Sequence, residues 1–492
     1  MAKPNVLFII TDQQRSDHVG FAGNSTISTP NLDDLARRST VFENTFVSNP
    51  ICMPNRSTIM TGRMPSAHGV IFNDRSLAPT SNTFVRQLRN VGYQTALIGK
   101  SHLQNGMSRN VVADLPGEPG VFDRWPAGWD EIENISRYKN ADFVDPDDFY
   151  GFGTIELTLG HGAQVGGHHY RWARDQGATH EQLVAGFRHD GEVPDRSPLW
   201  WQIHGLPFAD ELYSTNFVTD RTVEFIEQSH SKGQPWMAWC SYPDPHHPLS
   251  PPDQWLNRHD PADIELPETF HDPGDDWPPH LSLMRSLRPS RTNFVRPFGP
   301  TPEQTKAAIA VTYGMIEFVD EGVGKVLATL RELGIDDNTI VVFTSDHGDM
   351  MGDHGLMLKL AMHFQGCIRV PLLIHAPGRS AARTSSLASS IDLPHTILDL
   401  CGVDEYRGMQ GRSLVPMLDD PTASARDHVL IEEDFPLSQF GPGPPVKTRT
   451  LVTNEGRYTR DNEGHEQLFD LANDPGELVD LSTRPKSAPR NG

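Results

Sequence analysis

Cysteine is scarce in this sequence, with four residues among 492. They stand at scattered positions with no paired spacing, which excludes a disulfide framework or a zinc knuckle. Three of them, Cys240, Cys367 and Cys401, lie in apolar surroundings and are interpreted as small buried hydrophobic residues. Cys52 differs, because it lies in the proline-flanked stretch N-P-I-C-M-P-N-R-S-T-I-M-T-G-R.

Positive charge is also in short supply. The chain has 42 Lys and Arg residues against 64 Asp and Glu residues, a formal net charge of -22. Nucleic acids and anionic membrane surfaces attract proteins that present a cationic face. The excess of acidic over basic residues therefore argues against nucleic acid and against a membrane as partners.

No apolar run approaches the roughly 20 residues that a membrane-spanning helix needs. The N-terminal stretch M-A-K-P-N-V-L-F-I-I-T-D has an apolar part that is too short for a signal peptide, and no small-residue cleavage site follows it. We interpret this stretch as a buried first strand and expect a cytoplasmic protein.

Short apolar runs alternate with helical patterns along most of the chain. Continuous apolar runs, typical of buried parallel strands, occur at 5–11 and 339–345, with further strand candidates at 93–100, 235–242 and 370–375. Helical patterns between them cover 31–38, 81–91, 214–229 and 302–333. The alternation predicts an α/β fold with a large, mostly parallel sheet sandwiched by helices.

The domain prediction has two parts. Residues 1–418 are predicted to form the larger, α/β domain, with irregular inserts at 104–210 and 253–300. Residues 419–492 form a small C-terminal α+β subdomain built on an antiparallel sheet. Inserts of this length are uncommon and usually act as lids or binding walls.

Acidic side chains directly follow two of the predicted strands. Asp12 follows the first, and Asp346 with His347 follows the strand at 339–345. Ligands of open α/β sheets bind beyond the carboxyl ends of the strands, so we expect these side chains to face one crevice. Two carboxylates and an imidazole suit a divalent metal ion. The alternative is that each aspartate caps a loop, but the two sites together favour the metal.

The residues after Cys52 predict a short helix from Arg56 to Gly62, placing the cysteine just before a helix N-terminus that favours an anion. A cysteine phosphatase would need an arginine six positions after the cysteine. That position is Thr58, so the phosphatase interpretation fails.

The stretch resembles the signature of the sulfatase family, within the alkaline-phosphatase-like group, which reads C-x-P-x-R and extends to T-G-R. Further matching segments are N-V-L-F-I-I-T-D-Q-Q-R, G-Y-Q-T-A-L-I-G-K-S-H, P-D-P-H-H-P-L-S-P-P, T-S-D-H-G-D-M-M-G-D-H-G-L-M-L-K, V-P-L-L-I-H-A-P-G, G-R-S-L and L-F-D-L-A-N-D-P-G-E. The resemblance covers both ends and the predicted sheet, but not 105–235 or 253–300.

The resemblance implies a metal-dependent hydrolase of sulfate esters with an alkaline-phosphatase-like fold. In this family the signature cysteine is oxidised to formylglycine. One hydroxyl of its hydrated aldehyde attacks sulfur, and the other later expels sulfate by collapse to the aldehyde. The implied partners are a small anionic sulfate ester and an enzyme that generates formylglycine.

The resemblance also implies roles for individual residues. The metal ligands are Asp12, Asp346, His347 and modified Cys52, and Arg56 steadies the formylglycine diol. The sulfate-binding and acid–base positions are Lys100, His102, His246 and Lys359. Asn73 is a further substrate contact, and His247 competes with His246 for its role. Gln13 either binds the metal through its amide oxygen or contacts the substrate. Outside the site, His68, His354, His363 and Asp17 are interpreted as structural.

Two positions at the strand ends depart from the common family pattern. Gln13 stands where a second aspartate is usual, and His347 stands where asparagine is frequent. These changes weaken the case for Ca²⁺ and favour Mn²⁺, so both ions remain candidates. The same arrangement resembles choline-sulfatase-like and phosphonate-monoester-hydrolase-like relatives.

Two alternative functions follow. The first is hydrolysis of phosphonate monoesters or phosphodiesters on the same scaffold. The presence of Lys100 and His102 favours sulfate esters over these substrates. The second is a catalytically silent binding protein that keeps the fold. The long irregular inserts are compatible with a homo-oligomer.

Overall fold

The computed structural model describes residues 3–106, 128–139, 143–187, 193–290, 296–435 and 445–483. The strands are β1 (Asn5–Thr11), β2 (Thr40–Phe46), β3 (Gln94–Gly99), β4 (Thr154–Leu157), β5 (Trp236–Ser241), β6 (Thr339–Ser345), β7 (Leu372–His375), β8 (Ala382–Ser389), β9 (Val429–Phe435), β10 (Val446–Val452), β11 (Arg457–Asp461) and β12 (Glu466–Phe469). The helices are α1 (Pro30–Ala36), α2 (Cys52–Thr61), α3 (Pro65–His68), α4 (Phe84–Asn90), α5 (His168–Asp175), α6 (His180–Ala185), α7 (Ser214–Ser231), α8 (Asp253–Leu256), α9 (Pro279–Ser286), α10 (Pro302–Glu332), α11 (Gln365–Ile368), α12 (Leu393–Leu400) and α13 (Val415–Asp419).

Eight strands form one sheet in the order β4-β3-β5-β1-β6-β7-β2-β8. Neighbouring strands pair in parallel except at β7, which runs antiparallel to β6 and to β2. The central strands β1 and β6 are buried along their whole length, because the sheet is covered on both faces. The predicted mostly parallel sheet is confirmed.

Alternating residues of β1 point to opposite faces of the sheet, and each face is covered by its own set of helices. Phe8 lies in a cluster with residues of α2, α4 and α12. Ile9 lies in a cluster with residues of α1, α7 and α10. The sheet is therefore sandwiched by helices, as predicted.

The C-terminal strands form a separate antiparallel sheet in the order β12-β11-β10-β9. One face of this sheet packs on the preceding part of the chain, since Ile431 and Val452 share a hydrophobic cluster with Ile316 of α10 and with Met350. The small antiparallel sheet was expected from the brief apolar runs near the C-terminus.

Helix α10 lies on the same face of the large sheet as α1 and α7 and contacts the N-terminus of α1. The carboxylate of Asp320 accepts hydrogen bonds from the backbone N–H groups of Asn31 and Leu32, at 3.1 and 2.7 Å, and so caps the start of α1. Within the described ranges, no helix combines the length and the apolar character that crossing a membrane requires.

The helix after the proline-flanked stretch begins earlier than predicted. It starts at Cys52 rather than Arg56, because the N–H of Asn55 already donates to the carbonyl of Ile51 at 3.1 Å. Pro54 is compatible with this first turn, where N–H groups have no acceptor inside the helix.

The first insert also contains β4, α5 and α6, which are too short to produce a clear period in the sequence.

Candidate active site

The carboxyl ends of β1 and β6 bring two aspartates together. Thr11 and Ser345 are partners in the parallel register, so the residues that follow them leave the sheet side by side. Asp12 and Asp346 are both fully buried, and the backbone N–H of Gln13 donates to Asp346 Oδ1 at 3.1 Å. The two strand ends therefore form one acidic centre, as the sequence predicts.

Four side chains at this centre offer ligand atoms that all lie within 4.8 Å of one another, namely those of Asp12, Cys52, Asp346 and His347. The Nε2 atom of His347 lies 3.1 Å from Cys52 Sγ and 3.5 Å from Asp12 Oδ1. Its Nδ1 donates to the carbonyl of Gly348 at 2.9 Å, which leaves the Nε2 lone pair for a metal. Carboxylate oxygens and an imidazole nitrogen are donors that fit a divalent cation.

Arg56 lies fully buried beneath this centre. Its Nε donates to Asp346 Oδ2 at 2.7 Å, and its Nη1 donates to the Ser241 hydroxyl at 2.9 Å and to the carbonyl of Lys100 at 3.0 Å. Burial lowers the pKa of the guanidinium, but Asp346 and Asp12 raise it above its ordinary value. The guanidinium therefore stays charged and balances the carboxylate of Asp346.

The ammonium groups of two lysines contact the residues of this centre. The ammonium group of Lys100 is hydrogen bonded to Asp12 Oδ2. The ammonium group of Lys359 lies 3.6 Å from Cys52 Sγ and donates to Gln13 Oε1 at 2.5 Å. Both lysines are buried, so their charges act in a poorly screened environment.

The pKa of the Cys52 thiol is shifted by these charges. Burial and the carboxylate of Asp12 raise its pKa. The positive charges of Lys100, Lys359 and His347 lower it by more, so that the pKa of the thiol lies well below its usual range. Position 52 thus stabilises negative charge, although the whole chain carries a net charge of -22.

Gln13 is held by both ends of its amide. The backbone has a φ of 68°, and the side-chain Nε2 donates to Asp349 and lies 3.4 Å from His247 Nδ1. Its Oε1 accepts from Lys359, as described above. Gln13 therefore links Lys359 to Asp349, a buried residue that the sequence motifs did not single out.

His102 and Asn73 lie at the edge of the centre. Three successive backbone N–H groups, beginning with that of His102, donate to the carboxylate of Glu133. The buried Nδ1 atom of His102 has no hydrogen-bond partner within the described part of the chain. Burial and the charge of Lys100 hold its pKa well below the ordinary histidine value. Asn73 Oδ1 accepts from the backbone N–H of Met53 at 3.0 Å, in the first turn of α2.

Three histidine rings stack beside the two lysines. The ring of His246 lies 4.0 Å from that of His247 and 3.9 Å from that of His161, measured between centroids. His246 Nδ1 donates to the carbonyl of His247 at 2.5 Å, which leaves Nε2 without a proton in the neutral ring. Both competing histidines thus remain at the centre. His161 was missed by the sequence analysis, and its only sequence signal is the flanking pair of glycines.

Each residue interpreted as structural has a side-chain partner other than the four candidate metal ligands. These pairs are His68 with Thr58, His354 with Asp272, His363 with Glu433 and Asp17 with Arg15. All four cysteines are buried and none forms a disulfide.

Comparisons with known proteins agree over most of the chain. The family model described as Sulfatase matches residues 4–403, and a model of the C-terminal region of N-sulphoglucosamine sulphohydrolase matches residues 352–489. An arylsulfatase of Clostridium perfringens is 27% identical over 486 residues, covering 97% of this chain and 90% of its own. A choline-sulfatase of Rhizobium meliloti is 28% identical over 502 residues, covering 98% of this chain and 83% of its own. The solved structure of a phosphonate monoester hydrolase from Silicibacter pomeroyi superposes with a TM-score of 0.78 at 25% identity, covering 98% of this chain and 92% of its own.

Proposed function

Because the chain belongs to the sulfatase family, we propose that it hydrolyses sulfate esters with a formylglycine made from Cys52 and one bound divalent cation. The observation that carries this proposal is the position of Cys52 Sγ among the ligand atoms of Asp12, Asp346 and His347, all within 4.8 Å of one another. In the hydrated form of formylglycine, one hydroxyl of residue 52 would attack sulfur and release the alcohol. The second hydroxyl would then lose its proton and expel sulfate as the aldehyde re-forms.

Asp12, Asp346 and His347 would hold the cation, which supplies Lewis-acid stabilisation of negative charge beside residue 52. The fit rests on the donor set, two carboxylates and an imidazole whose lone pair is free at Nε2. The imidazole favours Mn²⁺ over Ca²⁺, which prefers oxygen donors. Arg56 keeps Asp346 in place through the hydrogen bond to its Oδ2.

The remaining polar groups would bind the ester and move a proton. The ammonium groups of Lys100 and Lys359 supply positive charge for the sulfate oxygens, where charge develops during cleavage. His246 holds its Nδ1 proton on a backbone carbonyl, so Nε2 is its basic atom, which would first take up a proton and then pass it to the leaving oxygen. His102 and Asn73 are further candidates for contacts to sulfate.

The modification needs a maturation enzyme as a partner. Cys52 is only 2% exposed in the folded chain. We infer that the maturation enzyme acts on the stretch around Cys52 before folding buries it.

Mass analysis of a peptide that contains residues 51–56, together with turnover of 4-nitrophenyl sulfate, tests the proposal. We expect the formylglycine mass, turnover by the wild-type protein and no turnover by Cys52→Ala, whereas Cys401→Ala retains activity as the matched control. An unmodified thiol without any turnover would instead favour a silent binding protein.

A second candidate is hydrolysis of phosphonate monoesters. The similarity to the Silicibacter pomeroyi enzyme favours it, at 25% identity and a TM-score of 0.78. Sulfate and phosphonate esters share a tetrahedral oxyanion, so one site accommodates both. The ratio of kcat/KM for 4-nitrophenyl sulfate and 4-nitrophenyl phenylphosphonate decides between them, and a strong preference for the phosphonate overturns the first proposal.

A further inference from the structure

A histidine of the first insert reaches the candidate active site although it belongs to none of the matched motifs. The Nε2 atom of His161 lies 2.8 Å from Lys100 Nζ and 3.4 Å from Asp12 Oδ2. Its ring stacks on that of His246 with centroids 3.9 Å apart and an interplanar angle of 20°. His161 thus contacts both a candidate sulfate-binding lysine and the candidate acid–base histidine.

The loop that carries His161 is fastened to the segment that follows His246. Gly162 has a φ of 51°, and a Cβ atom there would lie 2.4 Å from the carbonyl oxygen of Pro248. The next backbone N–H, that of Ala163, donates to the Ser250 hydroxyl at 2.8 Å. Glycine at 162 therefore allows the close backbone approach that holds His161 against His246.

The contact with Lys100 determines the tautomer of His161. An ammonium group has only donors, so Nε2 of His161 accepts and the ring proton lies on Nδ1. The ammonium group consequently has two acceptors, His161 Nε2 and Asp12 Oδ2. A lysine side chain has a flexible four-carbon stem, and two acceptors restrict where its charge can lie.

We propose that His161 is a positioning residue, whose Nε2 holds the ammonium group of Lys100 beside Asp12 and whose ring face holds the imidazole of His246. The inference rests on the proposed function, in which these two residues bind the ester and transfer the proton. It deepens that function by assigning a residue of the first insert to the same site.

A second cation site is the competing explanation for this cluster. Asp12, His161 and His246 offer ligand atoms within 4.8 Å of one another. The ammonium group of Lys100, however, already contacts Asp12 and His161, so a positive charge is in place without a second ion. Metal analysis of the purified protein should find one divalent ion per chain. Two ions per chain, one of which is lost in His161→Phe, would overturn the proposal.

Two substitutions distinguish the contribution of the Nε2 acceptor of His161 from that of its ring face. His161→Phe keeps a flat ring against His246 and loses the acceptor for Lys100, whereas His161→Gln keeps an acceptor and loses the ring. We expect His161→Phe to lower kcat/KM about tenfold to a hundredfold, the range that displacement of a positioned group produces, and His161→Gln to lower it less. The control is His180→Phe on α6, whose side chain contacts Tyr170, and it should retain wild-type kinetics. Wild-type kinetics in His161→Phe would contradict the proposal.

A double-mutant cycle with Lys100→Ala distinguishes positioning from a merely structural role. If His161 acts through Lys100, the loss caused by His161→Phe should largely disappear in the Lys100→Ala background. A loss of the same size in both backgrounds would overturn the proposal. Thermal melting of each variant identifies those that fail to fold.

The same four proteins are compared by their affinity for inorganic sulfate, measured by calorimetry on the metal-loaded forms. This measurement distinguishes failure of the proposed function from failure of the positioning role. A wild-type protein that turns over neither sulfate nor phosphonate esters refutes the proposed function, while coupling between His161 and Lys100 in sulfate binding still supports the positioning role. Sulfate binding without such coupling, or no sulfate binding by the wild-type protein, refutes that role.

Discussion

The Nε2 atom of His347 lies 3.1 Å from the Sγ atom of Cys52, although the two residues are 295 positions apart in the chain. The contact forms because the end of β6 and the first turn of α2 meet at the carboxyl edge of the sheet. It joins the candidate nucleophile position to a candidate metal ligand, and the first prediction follows from it.

His347→Ala should weaken binding of Mn²⁺ by at least about a hundredfold, because the variant loses a direct imidazole donor, whereas loss of a residue that only orients a ligand costs about tenfold to a hundredfold. Calorimetric titration of the chelator-treated protein with Mn²⁺ measures the affinity. The control is His428→Ala, since the ring of His428 is exposed and pairs with the exposed Asp427. Equal affinities for His347→Ala and the wild-type protein would show that the imidazole is not a ligand.

Arg56→Met should lower the free energy of unfolding of the metal-free protein by about 3–5 kcal/mol, because the buried carboxylate of Asp346 loses its charged partner. Urea denaturation measures the change, and Arg56→Lys should recover part of the loss. Arg379→Met removes an ion pair with the exposed Asp419 and should cost less than about 1 kcal/mol. Losses of similar size for Arg56→Met and Arg379→Met would contradict the assigned role of the buried pair.

Asn55 connects α2 to three other segments through its amide. Its Nδ2 donates to the carbonyl of Asp346 at 2.6 Å, and its Oδ1 accepts from the Ser48 N–H at 3.1 Å and from the Ser390 hydroxyl at 2.6 Å. Asn55→Ala leaves these buried groups unsatisfied and should lower the free energy of unfolding by about 2–3 kcal/mol. Urea denaturation is again the measurement. The exposed Asn454 serves as the control, since Asn454→Ala should change stability by less than about 0.5 kcal/mol. A loss below about 1 kcal/mol for Asn55→Ala would mean that these hydrogen bonds contribute little.

Asp320 should make the stability of the protein depend on pH. Burial raises its pKa to about 6 in the folded chain, whereas an aspartate in an unfolded chain titrates near pH 3.9. Between about pH 4 and pH 6 the folded state therefore binds more protons at this site, so the contribution of Asp320 to the free energy of unfolding falls as the pH rises and is constant above that window.

Asp320→Asn keeps an acceptor for the α1 cap but cannot titrate. Its stability curve should lack the contribution of Asp320, so the slopes of the two curves should differ by up to about 1.4 kcal/mol per pH unit within the window. Urea denaturation of both proteins from pH 4 to pH 7 measures the difference, because the other groups contribute to both curves. Parallel curves would contradict the raised pKa.

The best-predicted parts of the fold are the two central strands. The bounds of β1 and β6 agree with the apolar runs at 5–11 and 339–345, because strands buried on both faces read as continuous apolar stretches. The convergence of Asp12 and Asp346 followed from the same reasoning, since the carboxyl ends of parallel strands meet at one edge. In contrast, β2 and β8 were not predicted, although they extend the same sheet.

The amino-acid sequence by itself determined the family signature around Cys52, the central strands and the acidic residues at their ends, because each is recorded locally as a pattern of neighbouring residues. Only the tertiary structure decided that Gln13 links Lys359 to Asp349 and that His161 meets Lys100 across 61 positions of the chain. These contacts depend on how long loops pack against one another, as at Gly162 and Pro248, and loop packing leaves no periodic signal in the sequence.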